Sequence, residues 1–236
     1  MPEPCLKSYL SLARVSNLPT VWTNVLAAVV LARPAGAAAF PFLLLALAHS
    51  AFYAAGMSLN DLWDREADRL SKPFRPLPSG AVSPREAGAL VIGLFTLGLA
   101  LLALLPHRAA LGPGLLLVAA IVAYDRLHAV HAWSVLLMAG CRLLVFLVCS
   151  AGISGTVELA PALGGLAQFA YVLTLSAVAR YEKRRDFAFP VIPALIAGIS
   201  LLDGLLMALA ANPLWFVAGL AGACLTWSAN RWIRGD

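Results

Sequence analysis

Long apolar segments separated by short polar ones make up almost the whole chain. A transmembrane α-helix needs roughly 20 consecutive and mostly apolar residues, and segments of about that length recur throughout the sequence. They predict about eight transmembrane helices, near residues 17–33, 38–60, 86–105, 109–127, 132–153, 161–181, 188–210 and 213–232. The first of these is the most polar at its start, where Asn17, Pro19, Thr20 and Asn24 lie.

Composition supports the same interpretation. The 236 residues are 61% hydrophobic and only 12% charged, and the mean hydropathy is +0.84. An ordinary soluble domain is roughly 45–50% apolar. We therefore predict an all-α polytopic membrane protein, a single domain over residues 1–236 whose helix bundle surrounds a central cavity. The four cysteines show no Cys-x-x-Cys spacing, so they indicate neither a disulfide framework nor a zinc site.

The basic residues predict the orientation of this bundle. Arg33 and Arg108 fall on one side of the predicted helices, Arg142 lies inside a span, and every other Lys or Arg falls on the opposite side. Cytoplasmic loops carry an excess of Lys and Arg. Both termini and the loops after the second, fourth and sixth spans are thus predicted to be cytoplasmic, in an inner or plasma membrane. The net charge of +5 is explained by these membrane anchors and possible phosphate ligands, so no nucleic-acid partner is expected.

The stretch from Asn60 to Asp68 ends the second span and is dense in polar oxygen atoms. Asn60, Asp64 and Asp68 are spaced i, i+4 and i+8, so on a helix they project from one face, with Asp61 one residue away. Mg²⁺ prefers such oxygen ligands and usually completes its shell with water and substrate phosphates. The stretch therefore predicts a magnesium site for a diphosphate at one end of the bundle.

A second acidic pair, Glu182 and Asp186, follows the sixth span with i, i+4 spacing. It is predicted to lie at the same membrane face as the first cluster. By itself an acidic pair after a helix is as often a solvated surface pair as a ligand set. Two acidic clusters facing each other across a helix bundle are able to hold Mg²⁺ ions with a diphosphate between them.

These residues also carry a family resemblance. The segments Asn60-Asp61-x-x-Asp64-x-x-x-Asp68, Lys72-Pro73-Phe74-Arg75-Pro76-Leu77-Pro78-Ser79-Gly80 and Ser83-Pro84-x-Glu86-Ala87 together resemble the first signature of the UbiA-type intramembrane prenyltransferases. Glu182-x-x-x-Asp186 resembles their second aspartate-rich motif, with Glu where Asp is usual. That family commonly has nine transmembrane helices, whereas we count about eight here.

The resemblance implies Mg²⁺-dependent transfer of a prenyl chain from a polyprenyl diphosphate to an aromatic or other small acceptor within the membrane lipid. The implied metal ligands are Asn60, Asp64, Asp68, Glu182 and Asp186. The implied catalytic carboxylates are Asp61, Asp64, Asp68 and Asp186. The predicted substrate-binding residues are Lys72, Arg75, Tyr124, Arg126, Arg142 and Tyr181.

Simple chemistry supports these roles. Cleavage of an allylic diphosphate releases a multiply charged anion, which Mg²⁺, Lys and Arg neutralise as it forms. The allylic cation needs a dry chamber, because water would otherwise capture it. Aromatic rings stabilise such a cation. The aromatic residues on suitable spans or span ends are Phe52, Tyr53, Trp63, Tyr124, Phe146, Tyr171 and Tyr181.

Other interpretations remain open. A transporter also carries intramembrane acids, but its site lies near the midplane, where the sequence places only Asp203, with no acidic neighbour. We expect Asp203 to matter little for activity. A non-catalytic relative that binds or transports an isoprenoid lipid is the second alternative. His128 and His131 are not expected to bind metal. The acceptor is also open: hydroxybenzoate, naphthoate, haem, tetrapyrrole, sugar phosphate and glycerol phosphate are all compatible with this chemistry.

Overall fold

The computed structural model describes residues 6–32, 39–182 and 191–232, with side chains described except at 180–182 and 231–232. The described backbone is helical, and short 3-10 turns lead into several of the helices. The helices are α1 (Leu6–Leu12), α2 (Leu18–Ala32), α3 (Ala39–Trp63), α4 (Arg65–Ser71), α5 (Pro84–Ala103), α6 (Leu111–Leu127), α7 (Val135–Ser154), α8 (Leu159–Glu182), α9 (Val191–Ala210) and α10 (Phe216–Trp232).

Eight of these helices are long and coincide with the predicted spans. Within the described ranges, seven helical segments are long and apolar enough to cross a membrane when the 3-10 turns before α2, α6 and α7 are included, and α10 is not among them. Helices α5 and α6 expose many large apolar side chains, such as Ile92, Leu97, Leu115 and Leu116. A soluble protein rarely exposes so much apolar surface, whereas lipid covers it. The prediction of an all-α polytopic membrane protein is confirmed.

Helix α2 lies at the centre of the bundle and packs against α3, α7, α8, α9 and α10. This position explains why the first span is polar at its start. Thr20 and Asn24 are buried and hydrogen-bonded inside the protein, so lipid does not have to accommodate them. The apolar side chains of α2 join Leu45, Phe52 and Phe146 in the main core.

The segment between α4 and α5 returns the chain to the bundle, and a capping box ends it. The Ser83 hydroxyl accepts a hydrogen bond from the Glu86 backbone N–H at 3.2 Å, and the Glu86 carboxylate accepts one from the Ser83 N–H at 2.8 Å. Pro84 then occupies the first helical turn, where its missing N–H costs nothing. Leu77 and Val82 anchor the segment against Leu12 and Ala87.

Helices α9 and α10 approach each other at a pair of glycines. A Cβ atom at Gly219 would lie 2.6 Å from the Ser200 carbonyl oxygen and 2.7 Å from the Cα of Gly204. These are backbone atoms, which cannot move aside as a flexible side chain does. Small residues allow such close backbone packing between membrane helices.

We therefore expect Gly219→Ala to destabilise the protein. Overpacking of this kind costs roughly 1–3 kcal/mol, so the melting temperature in detergent should fall by several degrees. Gly93→Ala in α5 is the matched control, because a Cβ there meets no atom within 4 Å. Equal melting temperatures for the two variants would contradict the assigned contact between α9 and α10.

Candidate functional site

The Asn60–Asp68 segment spans the junction between α3 and α4 with only a slight break. Asp64 stands at the junction, and its N–H donates to the Asn60 carbonyl at 2.9 Å. The Asp68 N–H donates in turn to the Asp64 carbonyl at 2.8 Å. This helical hydrogen bonding continues across the junction and keeps the polar residues together at one end of the bundle, which we call the polar end.

Arg75 is the central cation of the polar end. It returns from the proline-rich segment, and its Nη1 lies 2.6 Å from Asp68 Oδ2 and 3.3 Å from Asp61 Oδ1. All three side chains are less than 10% exposed, at 8%, 8% and 4% respectively. A charge this deeply buried must be paired. Asp61 and Asp68 therefore share one guanidinium, a contact that the spacing of the acidic residues did not reveal.

Arg14 supplies a second cation to the same carboxylate. Its Nη2 lies 2.7 Å from Asp61 Oδ1 and 3.4 Å from Asn60 Oδ1. Arg14 adopts φ 45° and ψ 49°, the left-handed conformation that non-glycine residues rarely adopt, and it bends the chain between α1 and α2. Burial lowers the pKa of the Arg14 guanidinium, but the ion pair with Asp61, together with the weaker attraction of Tyr53 and Asp68, raises it above its ordinary value. Sequence reasoning did not assign Arg14 to the site.

Asp125 is another residue that sequence reasoning missed. It lies at the end of α6, and its Oδ1 accepts a hydrogen bond from Asn60 Nδ2 at 3.3 Å. Its Oδ2 is buried and has no hydrogen-bond partner among the described residues. The spacing along α6 could have indicated Asp125, because Leu117, Ile121 and Asp125 are spaced four residues apart and so share one helix face. All three line the same cavity. Arg126, the predicted ligand beside it, is instead exposed and does not line that cavity.

His128 also joins the site. Its Nε2 lies 3.1 Å from Asp64 Oδ1, and its Nδ1 lies 2.9 Å from the Asp125 carbonyl oxygen. The Tyr124 ring packs against the imidazole with ring centres 5.4 Å apart. The sequence pattern of His128 and His131 did not predict this contact, because Asp64 lies on a different helix.

A cavity of about 320 Å³ extends from these residues into the bundle. Arg14, Asn60 and Asp125 line it at the polar end, and apolar and aromatic side chains line most of the rest. Tyr124 and Arg142, both predicted substrate-binding residues, border the cavity. The predicted central cavity is therefore present.

The predicted aromatic chamber is only partly correct. Phe52 and Tyr53 border the cavity together with Tyr124. Trp63 is 51% exposed, Phe146 is fully buried in the core, and the Tyr171 hydroxyl donates to the Leu195 carbonyl at 2.9 Å. The rotation of each helix about its axis and the tertiary packing keep these residues away from the cavity. Neither can be read from the positions of aromatic residues in the sequence.

Arg142 and Asp203 both have polar partners inside the bundle. Arg142 Nη1 donates to Asn24 Oδ1 at 2.5 Å. Asp203, which has no acidic neighbour in the sequence, accepts hydrogen bonds from Asn24 Nδ2 and Gln168 Nε2, both at 2.7 Å. These partners come from α2 and α8, so neighbouring positions in the sequence could not reveal them.

Several predicted residues are not brought to the cavity or are not described. Lys72 follows α4, is partly buried and does not line the cavity. Asp186 lies outside the described residues, and the side chains of Tyr181 and Glu182 are likewise not described. The second acidic cluster therefore stays a prediction.

The donor groups at the polar end fit a hard cation. Within the described ranges, no three His, Cys, Asp or Glu side chains are close enough to hold a metal by themselves. Mg²⁺ does not require three such side chains, because it commonly binds one or two carboxylates and completes its shell with water and phosphate oxygens. Asp64 is partly exposed, and the unpaired Oδ2 of Asp125 lies beside Asn60. An unpaired buried carboxylate oxygen is costly unless a proton or a cation satisfies it.

Comparison with known proteins identifies the family. The model of the UbiA prenyltransferase family matches residues 20–234. The chain belongs to this family. The resemblance inferred from the sequence motifs is confirmed.

Individual relatives of this UbiA-family chain agree with the assignment. Digeranylgeranylglyceryl phosphate synthase from Saccharolobus solfataricus is 37% identical over 100 residues, which cover 42% of this chain and 36% of that protein. The corresponding protein from Ignicoccus hospitalis is 37% identical over 93 residues, 39% of this chain and 30% of that protein. The chain thus aligns with about a third of the length of these curated relatives.

A solved structure shares the fold over most of the chain. A UbiA homologue from Archaeoglobus fulgidus, solved with DMAPP and Mg²⁺ bound, has a TM-score of 0.65 at 18% identity. The match covers 96% of this chain and 98% of that structure. At this identity the likeness supports the shared helical architecture.

We expect Arg75→Met to destabilise the polar end. Asp68 would lose its buried cation, and breaking a buried ion pair costs roughly 3–5 kcal/mol. Thermal unfolding in detergent with a chelator present measures this loss. Arg69→Met is the matched control, because Arg69 pairs with Glu66 where both side chains are more than half exposed, at 55% and 64%. A variant with Arg75→Met that melts like the control would contradict the buried pairing.

Proposed function

We propose that this UbiA-family protein transfers a prenyl chain from a polyprenyl diphosphate to a small acceptor inside the membrane, with Mg²⁺ as cofactor. The proposal rests on one observation: a charged region and an apolar cavity lie side by side. Carboxylates and cations concentrate at the polar end, and a mostly apolar cavity opens directly beside them. A prenyl diphosphate has the same division into a charged head and an apolar tail.

The diphosphate would bind at the polar end. Asn60, Asp64 and Asp68 are the proposed metal ligands from the first cluster, with Glu182 and Asp186 proposed from the second. Mg²⁺ bound there would neutralise the departing diphosphate. Arg14 and Arg75 already lie within this cluster and add fixed positive charge. Because their positions are held by buried carboxylates, little reorganisation is needed when the charge of the leaving group develops.

The prenyl chain would occupy the cavity. Its C1–O bond breaks, diphosphate leaves, and the allylic cation is attacked by the acceptor, which then loses a proton. Phe52, Tyr53 and Tyr124 border the cavity, and aromatic faces stabilise a desolvated cation by up to about 2 kcal/mol. The apolar walls also exclude water, which would otherwise compete with the acceptor.

Among acceptors, we favour a glyceryl phosphate over an aromatic ring. The curated relatives named above are digeranylgeranylglyceryl phosphate synthases, and their similarity to this chain supports that choice. An alcohol oxygen of the acceptor would form the new C–O bond and release its proton. The positive-inside pattern further supports a cytoplasmic polar end, with both substrates entering from that side.

Asp64→Asn should reduce prenyl transfer by on the order of a hundredfold or more, because it removes a charge from the proposed metal site. The assay is Mg²⁺-dependent release of diphosphate from radiolabelled prenyl diphosphates, followed by identification of the labelled lipid. Glu66→Gln is the matched control, since Glu66 is an acid of the same segment whose carboxylate is exposed and paired with Arg65 and Arg69.

Wild-type turnover in Asp64→Asn would contradict the proposed metal site. A correctly folded wild-type protein that binds prenyl diphosphate and never releases diphosphate would instead favour the non-catalytic alternative. Substrate flux across proteoliposomes without cleavage would favour a transporter.

A further inference from the structure

Arg142 is a second cationic centre of the cavity, separate from the carboxylate cluster at the polar end. It projects from α7 and borders the cavity. Its guanidinium donates to Thr20 O at 3.2 Å, Thr20 Oγ1 at 3.1 Å and Asn24 Oδ1 at 2.5 Å. All three acceptors are neutral, and the described part of the chain places no carboxylate within ion-pair distance of Arg142.

Asn24 fixes the position of this guanidinium. Arg has only donors, whereas a side-chain amide has one donor group and one acceptor oxygen. Asn24 must therefore turn its oxygen toward Arg142 and its nitrogen toward Asp203, which lies 2.7 Å away. Gln168 holds the other oxygen of Asp203 at 2.7 Å and also donates to the Ile199 carbonyl at 3.0 Å. Asn24, Gln168 and Asp203 are all fully buried. Residues of three other helices, α2, α8 and α9, thus hold one arginine of α7 directly or through Asn24.

This arrangement leaves positive charge facing the cavity. Asp203 compensates Arg142 only through an intervening amide, and it does not border the cavity. A guanidinium carries five N–H donors. Three of them are used by Thr20 and Asn24, so two remain without a partner among the described residues. A charge inside a membrane bundle normally faces a partner or marks a substrate site.

We propose that Arg142 binds the anionic group of the acceptor, a phosphate monoester or a carboxylate, and that Asp203 is a positioning residue acting through Asn24. This inference rests on the proposed function. It assigns the acceptor to the α2–α7 wall of the cavity and the prenyl diphosphate to the polar end. The free N–H groups of the guanidinium match two oxygen atoms of such an anion.

The test is equilibrium binding to purified protein, without turnover. The probes are a prenylated glyceryl phosphate, the same lipid without phosphate, 4-hydroxybenzoate and a prenyl diphosphate. Arg142→Met should weaken binding of the anionic acceptor roughly ten- to a hundredfold, since a charged hydrogen-bonded contact is lost. Binding of the phosphate-free lipid and the prenyl diphosphate should not change. Arg108→Met, an exposed Arg outside the cavity lining, is the control and should bind all probes normally.

The two anionic probes distinguish the source of the anion. If binding of the prenylated glyceryl phosphate depends on Arg142, the acceptor is a phosphate. If binding of 4-hydroxybenzoate depends on Arg142, the acceptor is an aromatic carboxylate. If neither anion binds the wild-type protein, if both bind Arg142→Met normally, or if the prenyl diphosphate is weakened to the same extent, the proposal is overturned. Arg142-dependent anion binding in a protein with no transferase activity would overturn the proposed function and leave this site intact.

Asp203→Asn tests the positioning role. It preserves the size of the side chain but replaces one acceptor oxygen with a donor, which disturbs the bonds to Asn24 and Gln168. We expect a raised KM for the acceptor with an unchanged KM for the prenyl diphosphate. Arg142→Lys keeps the charge and the fold while removing the planar fork, and an intermediate loss of anion affinity is expected from it. Unaltered acceptor KM in both variants would refute the assignment.

Discussion

The structure depends on pairing the charged side chains that are buried inside an apolar bundle. Arg75 makes this possible at the polar end, because one buried guanidinium contacts Asp61 and Asp68 and so joins α3, α4 and the proline-rich segment. Burying any of these charges alone is costly, and pairing Arg75 with the two carboxylates offsets that cost. The position of the segment between α4 and α5 is therefore tied to the position of the carboxylates.

The same principle divides the cavity into two electrostatic regions. At the polar end, Arg14 and Arg75 pair with Asp61 and Asp68, and Asp125 keeps one oxygen without a hydrogen-bond partner among the described residues. Along the wall formed by α2 and α7, Arg142 stands without a direct counterion among the described residues, and Asp203 balances it from behind Asn24. The first region suits a metal-bound diphosphate, and the second suits an anion without a metal. Apolar and aromatic surface between them suits a prenyl chain.

Local sequence was sufficient for the elements and for the first motif. Apolar segment length predicted the helices, and the Asn60–Asp68 spacing predicted a polar cluster at the end of α3, because both depend on interactions along one helix. Local sequence was not sufficient to predict which side chains contact one another across helices. Asp61 and Asp68 share Arg75, Arg126 is exposed while Asp125 lines the cavity, and Trp63, Phe146 and Tyr171 lie outside the cavity. These outcomes depend on the rotation of each helix about its axis.

The amino-acid sequence by itself determined that the chain crosses a membrane, which family it resembles and where its first acidic cluster lies, because hydropathy and motif spacing are properties of contiguous residues. Only the tertiary structure decided that Arg14, Asp125 and His128 join that cluster and that Asp203 supports Arg142. Those contacts bring together residues far apart in the chain. They form because a polar group buried in a bundle must find its partner on whichever neighbouring helix offers one.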